Sequence, residues 1–332
     1  MPKVPSRSPD PSRRAARGRP DGEGDTLTLE PVPPFDFDLS ASIFSGGDPQ
    51  IRSYKEEAFR QVLRVNGNLV LVTVTSDGTV DLPKVKVQVR PGPVPVGILM
   101  DVGQAVTTLF NLGLDLSLFM KAVQDDLVMS ALASRLRGLK SPRTATVFEA
   151  LTDSIIEQQI SLAAAHSIEK RVVRTFGDTL EIEGETYFAF PTPARLAEAS
   201  PEELRTCGLS QKKAEYIIGI ARRIRDGDLD LENYGPEKDT ETVVRELSTL
   251  RGVGVWTAEL AALRGLSRLD AIPADDIGIR RSISSYYSKT SRIDTGEARR
   301  IAEGWGAWKG LAAYYLLVAE RLGIKVQDLA PG

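Results

Sequence analysis

Hydrophobic positions divide the chain into a shorter region with a period of two and a longer region with a helical period. Within residues 35–90, apolar and polar residues alternate from Lys84 to Arg90, and an apolar run from Leu69 to Val74 precedes the turn Ser76-Asp77-Gly78. Alternation of this kind is typical of strands with one buried and one solvated face. We predict an antiparallel sheet here, followed by a helical segment from Gly97 to about Leu118.

Beyond Leu127 the apolar residues recur at helical spacing, and proline and glycine residues separate the segments. The positions that share helical faces are Phe148, Leu151, Ile155 and Leu162 in one segment and Leu204, Ala214, Ile217, Ile218 and Ala221 in later ones. Such patterns predict amphipathic helices that pack around a core. The predicted fold class is therefore α+β, with a small α/β domain over residues 35–125 and a mostly α-helical, two-lobed core over residues 126–332.

Residues 1–34 contain too few apolar side chains to build a core. They are rich in Pro, Arg, Ser and Gly, and the basic residues between Lys3 and Arg19 precede acidic residues between Asp21 and Asp25. This composition predicts a disordered basic tail. Nonspecific tethering to DNA and an organelle transit peptide are the functional alternatives for the tail.

Composition limits the chemistry available to the chain. With 332 residues, 42% of them hydrophobic, the chain is long enough for two or three packed units. One cysteine, Cys207, and one histidine, His166, exclude an intramolecular disulfide, a multi-ligand Cys/His zinc site and a four-cysteine iron–sulfur cluster. We therefore expect no cofactor and no metal.

Charge and hydropathy bear on partners and location. The net charge of −3 argues mildly against DNA binding, but local rather than net charge sets the field near a groove. No apolar run approaches the roughly twenty residues of a membrane span. We expect an intracellular protein, cytoplasmic (nucleoid) or nuclear, without a membrane partner.

The stretch Leu250 to Ala258, reading LRGVGVWTA, is the most informative part of the chain. Gly252 and Gly254 lack a Cβ, so the chain can turn tightly between two helices and point backbone N–H groups at an anion. The helix that starts near Trp256 directs its N-terminal dipole to the same place. A DNA phosphate is a suitable ligand for this hairpin.

A carboxylate pair, Asp275 and Asp276, follows in the segment Pro273 to Arg281. Asp276 stands where a new helix is predicted to begin, so it can cap that helix and hold an ionised carboxylate beside DNA bound by the hairpin. Such a carboxylate can stabilise the positive charge that develops on the sugar when an N-glycosidic bond breaks, or orient the attacking water. The alternative is that one of the pair only caps the helix.

Hairpin and aspartate together resemble the signature of the helix-hairpin-helix (HhH-GPD) DNA glycosylase superfamily, and in particular the AlkA-type 3-methyladenine DNA glycosylase II enzymes. The matching positions are Leu250, Gly252, Val253, Gly254, Thr257, Ala258 and Asp276. The segments Ile155 to Ala165 and Phe190 to Ala221 are also similar to the AlkA-type enzymes. The resemblance covers roughly residues 35–325 and implies a TBP-like sheet domain ahead of the helical glycosylase core.

The resemblance also implies roles for residues that contact DNA. Asp276 is the implied catalytic residue, and Gln159 stands where the family inserts a side chain into the stack vacated by a flipped base. The implied DNA-binding residues of the hairpin are Gly252, Val253, Gly254 and Thr257. For Gln158 and Gln159 the alternative is that they only cap or bridge helices.

Trp256 and Phe44 are the candidate walls of a base pocket. An indole face attracts a cationic alkylated base more strongly than a neutral one, although packing between hairpin and helix is an alternative for Trp256. Lyase members of the superfamily carry a nucleophilic Lys at the place of Trp256. Leu260 and Leu317 depart from the family, which can offer Tyr and Trp at these places.

Three functions follow from these residues. We favour a monofunctional glycosylase, a monomer that removes 3-methyladenine and 7-methylguanine from damaged double-stranded DNA, with hypoxanthine and 1-methyladenine as further candidate substrates. The second is an 8-oxoguanine-type glycosylase with lyase activity, against which Trp256 argues. The third is a non-catalytic DNA-binding module, which has no use for a carboxylate at Asp276.

Overall fold

The structure, a computed structural model, describes residues 17–20, 24–235, 237–288 and 292–329. The strands are β1 (Arg17–Pro20), β2 (Thr26–Glu30), β3 (Arg52–Lys55), β4 (Ala58–Val65), β5 (Asn68–Ser76), β6 (Val85–Arg90), β7 (Thr179–Ile182) and β8 (Glu185–Phe188). The first helices are α1 (Phe37–Phe44), α2 (Val96–Leu109), α3 (Leu116–Ala122), α4 (Leu127–Arg135), α5 (Val147–Glu157), α6 (Leu162–Phe176), α7 (Pro193–Glu198) and α8 (Pro201–Thr206). The later helices are α9 (Gln211–Arg225), α10 (Thr240–Leu247), α11 (Val255–Leu266), α12 (Ile277–Tyr287), α13 (Thr295–Glu303) and α14 (Lys309–Arg321), with 3-10 turns at Gly306–Trp308 and Val326–Leu329.

A six-stranded antiparallel sheet forms the N-terminal domain, with the strand order β1-β2-β6-β5-β4-β3. Val85, Val87 and Val89 of β6 are buried while the polar residues between them are more exposed, so the predicted alternation is confirmed. Helix α2 packs on the buried face. It approaches closely because Gly103 lacks a Cβ, which would lie 2.6 Å from Leu27 Cδ1.

The predicted disordered tail is wrong over the residues that the structure describes. Arg17–Pro20 and Thr26–Glu30 form β1 and β2, and Leu27 and Leu29 of β2 are fully buried. The alternating pattern of β2 spans five residues, too few to outweigh the polar composition around it, and its partner β6 lies far along the chain. Residues 1–16 and 21–23 of the predicted tail lie outside the described residues.

The structure also corrects the end of the N-terminal domain. The helix predicted from Gly97 to about Leu118 is two helices, because α2 ends at Leu109 and α3 begins at Leu116. Phe119 of α3 packs in the core of the second helical lobe, so the hydrophobic cores divide before the predicted boundary at residue 125. The region beyond it is also interrupted by the hairpin of β7 and β8.

Two hydrophobic cores make up the helical region, as the two-lobed prediction requires. The first is built on α5, α6, α9, α10 and α11, and the second on α3, α4, α12, α13 and α14. Trp305 is buried in the second core, and its indole N–H donates a hydrogen bond to Asp126 Oδ2 at 3.1 Å. In the part of the chain that the structure describes, no helix is long and apolar enough to cross a membrane.

Lys140 joins the helical region to the N-terminal domain. Its side chain is fully buried, and its ammonium donates hydrogen bonds to the carbonyls of Val32 (2.7 Å) and Leu112 (2.8 Å). The same group lies 5.3 Å from the ring centroid of Phe35. Burial lowers the pKa of Lys140 to about 7, although Asp115 opposes that shift.

We predict that Lys140→Met lowers the free energy of unfolding by about 1–3 kcal/mol, because the carbonyl of Val32 loses its hydrogen-bond donor. Because the pKa of Lys140 is lower in the folded than in the unfolded chain, the unfolded chain binds more protons between about pH 7 and the usual lysine pKa. The stability of the wild type relative to the variant therefore increases as pH rises through this range. Urea denaturation at several pH values measures both effects. Lys121→Met, at an exposed position, is the control, and an equal loss in both variants would contradict the prediction.

Candidate active site in the cleft between the helical lobes

The glycine-rich hairpin joins α10 to α11, as the sequence predicted. Gly252 has φ +89°, and a Cβ there would lie 2.1 Å from the ring of Tyr216. Helix α11 begins at N-cap Gly254 without a side-chain capping hydrogen bond. The backbone N–H groups of its first turn therefore remain available to an anion.

The other two predicted DNA-binding residues of the hairpin contribute differently. Val253 is 5% exposed and packs in the first core, and Thr257 is 2% exposed. Thr257 Oγ1 accepts a hydrogen bond of 2.9 Å from Gln158 Nε2. The backbone N–H of Val253 already donates to the carbonyl of Leu250 at 3.0 Å. Of these two residues, therefore, only the backbone N–H of Thr257, in the first turn of α11, is suited to contact DNA.

Gln158 connects the hairpin to the turn between α5 and α6. Besides Thr257, its amide also donates to the carbonyl of Gly252 at 2.9 Å. On the other side of the turn, Lys213 Nζ donates to the carbonyls of Ile156 (2.9 Å) and Gln158 (2.6 Å). Sequence reasoning left open a bridging role for either glutamine, and in the structure Gln158 has it.

Gln159 is exposed at the tip of this turn. Its φ of +57° lies in the left-handed region, which a non-glycine residue adopts at a cost of order 1 kcal/mol unless its neighbours hold it there. Here the hydrogen bonds of Gln158 and Lys213 fix the backbone on one side of it. The turn therefore presents Gln159 outward beside the hairpin.

Asp276 is the N-cap of α12. Its Oδ1 accepts the backbone N–H of Ile279 at 3.0 Å, and its Oδ2 lies 3.3 Å from the indole nitrogen of Trp256. Both carboxylate oxygens therefore have donors, yet the residue stays half-buried rather than sealed in the core. The sequence predicted that a helix begins at Asp276, and at this helix start Asp276 contacts Trp256.

Asp275, its neighbour, points elsewhere. It is exposed, and its Oδ1 accepts a hydrogen bond from Thr295 Oγ1 at 2.7 Å. The loop before it is braced by Arg299, which pairs with the buried Glu259 at 2.8 Å and donates to the carbonyl of Ile272 at 3.4 Å. Arg299, on α13, therefore fixes this loop, and the two aspartates contact different partners.

Apolar side chains surround Asp276 and Trp256. Trp256 is half-buried, while Val255 beside it and Ile277 beside Asp276 are 50% and 75% exposed. Leu317 of α14 lies against Gly278, where a Cβ would be 3.5 Å from Leu317 Cδ2. An apolar rim beside a fixed carboxylate is suited to a ligand that carries a flat ring.

Phe44, the last residue of α1, lies on the side of the cleft formed by the N-terminal domain. Arg321 of α14 donates to the carbonyl of Ile43 at 3.1 Å, so the end of α1 meets the helix that carries Leu317. The guanidinium of Arg52 lies 4.0 Å from the ring centroid of Phe44. Because Arg52 covers that face, the face is not open to a stacked base in this arrangement.

Charged groups of α5 and α11 interact with each other near Asp276. Arg264 of α11 forms an ion pair with Glu157 at 2.7 Å. Burial opposes the charge of Arg264, but the carboxylates of Glu157, Asp153 and Asp276 raise its pKa above the ordinary value. The guanidinium is therefore within electrostatic reach of Asp276 from the first lobe.

Comparison with known proteins identifies the family of this site. Residues 152–307 match the model of the HhH-GPD superfamily base excision DNA repair proteins. The chain is 35% identical over 209 residues to a DNA-3-methyladenine glycosylase of Bacillus subtilis. The aligned residues make up 62% of this chain and 68% of that protein. The chain belongs to the HhH-GPD superfamily.

Two further comparisons refine the assignment to the AlkA type. The chain is 33% identical over 183 residues to DNA-3-methyladenine glycosylase 2 of Escherichia coli, covering 55% of this chain and 61% of that relative. The solved 3-methyladenine DNA-glycosylase from Archaeoglobus fulgidus superposes with a TM-score of 0.76 at 25% identity, covering 89% of this chain and 98% of that one. The sheet domain of this HhH-GPD protein is thus included in the structural match, and the α+β fold class is confirmed.

We predict that Gly252→Ala lowers the thermal stability of the protein, because the added Cβ overlaps the ring of Tyr216 and strains a positive φ. A loss above about 1 kcal/mol is expected. Gly254→Ala is the matched control in the same hairpin, since φ there is −88° and no atom lies within 4 Å of the added Cβ. Calorimetric melting that shows equal shifts for both variants would contradict this account.

Proposed function

We propose that this protein is a monofunctional DNA glycosylase of the 3-methyladenine glycosylase II type. It hydrolyses the N-glycosidic bond of alkylated bases, 3-methyladenine and 7-methylguanine first, in double-stranded DNA, and it acts as a monomer. Hypoxanthine and 1-methyladenine are further candidate substrates. The observation that carries this proposal is the carboxylate of Asp276, fixed by the helix it caps and by Trp256 beside an anion-binding hairpin.

The carboxylate supplies charge where the reaction needs it. Breaking the glycosidic bond develops positive charge on the deoxyribose, and a fixed carboxylate stabilises that charge and orients the attacking water. The hydrogen bonds from Ile279 and Trp256 hold Asp276 in place before the substrate arrives. Preorganised charge of this kind lowers the barrier without a reorganisation cost.

An alkylated base is already a good leaving group. Alkylation at a ring nitrogen of a purine leaves the base cationic, so it departs neutral and needs no strong general acid. The aromatic face of Trp256 at the rim of the cleft favours such a cation by a cation–π interaction, worth roughly 0.5–2 kcal/mol. Alkylated bases therefore fit this site better than neutral ones do.

Lyase chemistry requires an amine that attacks the sugar, and Trp256 has none. Lys213 of α9, which contacts the turn, already donates to two carbonyls, and burial lowers its pKa. Its ammonium is a structural donor at this position. We therefore propose hydrolysis without strand cleavage.

We predict that Asp276→Asn reduces base release at least about 100-fold, because the transition-state charge loses its stabilising carboxylate. Asn caps a helix about as well as Asp, so folding and DNA binding should persist. The assay measures base release from duplexes containing 7-methylguanine or hypoxanthine, with and without later alkali. Asp275→Asn, next in the chain but bonded to Thr295, is the control and should retain activity.

Each outcome of this assay has a distinct meaning. Wild-type base release with strand breaks only after alkali supports a monofunctional glycosylase. Strand breaks without alkali point to a lyase, and activity that survives in Asp276→Asn places the chemistry elsewhere. Absence of release from any duplex would leave a DNA-binding module.

We further propose that Gln159 fills the gap left by the flipped nucleotide. The position of its side chain at the exposed tip of a turn fixed to the hairpin supports this role. We predict that Gln159→Ala slows single-turnover base release roughly tenfold, because the flipped state loses a group that fills the stack. Gln158→Ala is the contrasting variant, since it removes hydrogen bonds to the hairpin and lowers the melting temperature. Wild-type rates in Gln159→Ala would exclude the role.

A further inference from the structure

A stripe of three acidic residues runs along α5. Glu149, Asp153 and Glu157 stand four positions apart and therefore share one face of the helix. The outer two are paired, Glu149 with Arg52 at 3.1 Å and Glu157 with Arg264 at 2.7 Å. Asp153 lies between these ion pairs. Its Oδ1 is shielded from solvent and has no hydrogen-bond partner among the described residues.

The partners of the stripe locate Asp153 in the cleft. Arg52 lies over Phe44 at the end contributed by the N-terminal domain. Arg264 interacts electrostatically with both Asp153 and Asp276 at the other end. The carboxyl of Asp153 therefore lies on α5 between Glu149, whose partner Arg52 covers Phe44, and Glu157, whose partner Arg264 also interacts with Asp276.

The charges around Asp153 are unbalanced. Facing it are Glu149 and Glu157 from its own helix, Glu169 from α6, Arg52 from β3 and Arg264 from α11. Burial and the carboxylates of Glu169, Glu149 and Glu157 hold the pKa of Asp153 well above its usual range, although Arg52 opposes the shift. The raised pKa favours the neutral form of the carboxyl, and its Oδ1 has no partner among the described residues.

A buried polar atom without a partner is costly to fold, and native structures contain few of them. Here the missing partner can be a ligand of the cleft. A cationic ring would supply the positive charge that Arg52 and Arg264, each engaged with another carboxylate, do not supply. Asp153 would then release its proton to solvent and pair with the cation.

We propose that Asp153 is a specificity-determining residue that contacts the flipped base and favours cationic alkylated bases over neutral ones. The proposal rests on the proposed glycosylase function. With a cationic base, Asp153 forms a charge-assisted contact. With a neutral base it forms at most an ordinary hydrogen bond, which is roughly half as strong.

The test compares two lesions in one sequence context, 7-methylguanine as the cationic base and hypoxanthine as the neutral base. Single-turnover rates of base release are measured for wild type and for Asp153→Asn, which keeps the shape of the side chain but cannot ionise. We expect release of 7-methylguanine to fall about tenfold or more and release of hypoxanthine to change less than about twofold. Asp125→Asn, at an exposed position outside the cleft, should leave both rates unchanged.

The ratio of the two rates separates specificity from a structural role. If Asp153 only supports the fold, both rates fall together and the ratio stays at the wild-type value, which overturns the inference. If the wild type releases neither base, the proposed function itself fails. We expect Asp153→Asn to keep the wild-type melting temperature, because the substitution removes a buried ionisable group. If Asp153→Asn folds poorly, the ratio of the two rates is measured with Asp153→Ser instead.

Discussion

The carboxylate of Asp276 joins the two helical lobes at the cleft, and the site depends on this contact. One oxygen caps α12, which packs in the second core, and the other meets the indole of Trp256 on α11, which packs in the first. A movement of either lobe would therefore change the position of the proposed catalytic carboxylate relative to Trp256. Each lobe is packed around its own core, so Trp256 and Asp276 keep fixed positions within their lobes, because close-packed interiors deform little.

The acidic groups of α5 and the hairpin suit different parts of the proposed substrate. Glu149 and Glu157 are paired with Arg52 and Arg264, and the carboxyl of Asp153 between them, whose pKa is raised, suits a cationic base rather than a phosphate. We propose that the phosphate binds instead to backbone N–H groups at the start of α11, which have no side-chain cap. Attraction to the phosphate backbone and attraction to the lesion can therefore be separate functions of separate surfaces, in a chain with a net charge of −3.

Local patterns were sufficient to predict some of these features. The hairpin glycines, the helix start at Asp276 and the strand β6 follow from spacing and from residues with special backbone preferences. The strand β2 escaped prediction because it spans five residues and pairs with β6, which lies far along the chain. The hairpin of β7 and β8 is local, but each strand has only four residues and none of them is buried, so no clear alternation of apolar and polar residues marks it. Asp153 escaped because its raised pKa arises from burial and from the carboxylate of Glu169 on another helix, together with carboxylates of its own helix, and burial cannot be read from a short stretch of sequence.

The glutamine pair shows how one dipeptide can serve two roles. Gln158 faces inward and bonds the hairpin, while the positive φ at Gln159 turns the next side chain outward. Because Lys213 fixes the same turn from α9, the turn and the hairpin move as one unit. Under the proposed function, the turn that carries the wedge is thus bonded directly to the hairpin that contacts the phosphate, which would couple DNA binding to base extrusion.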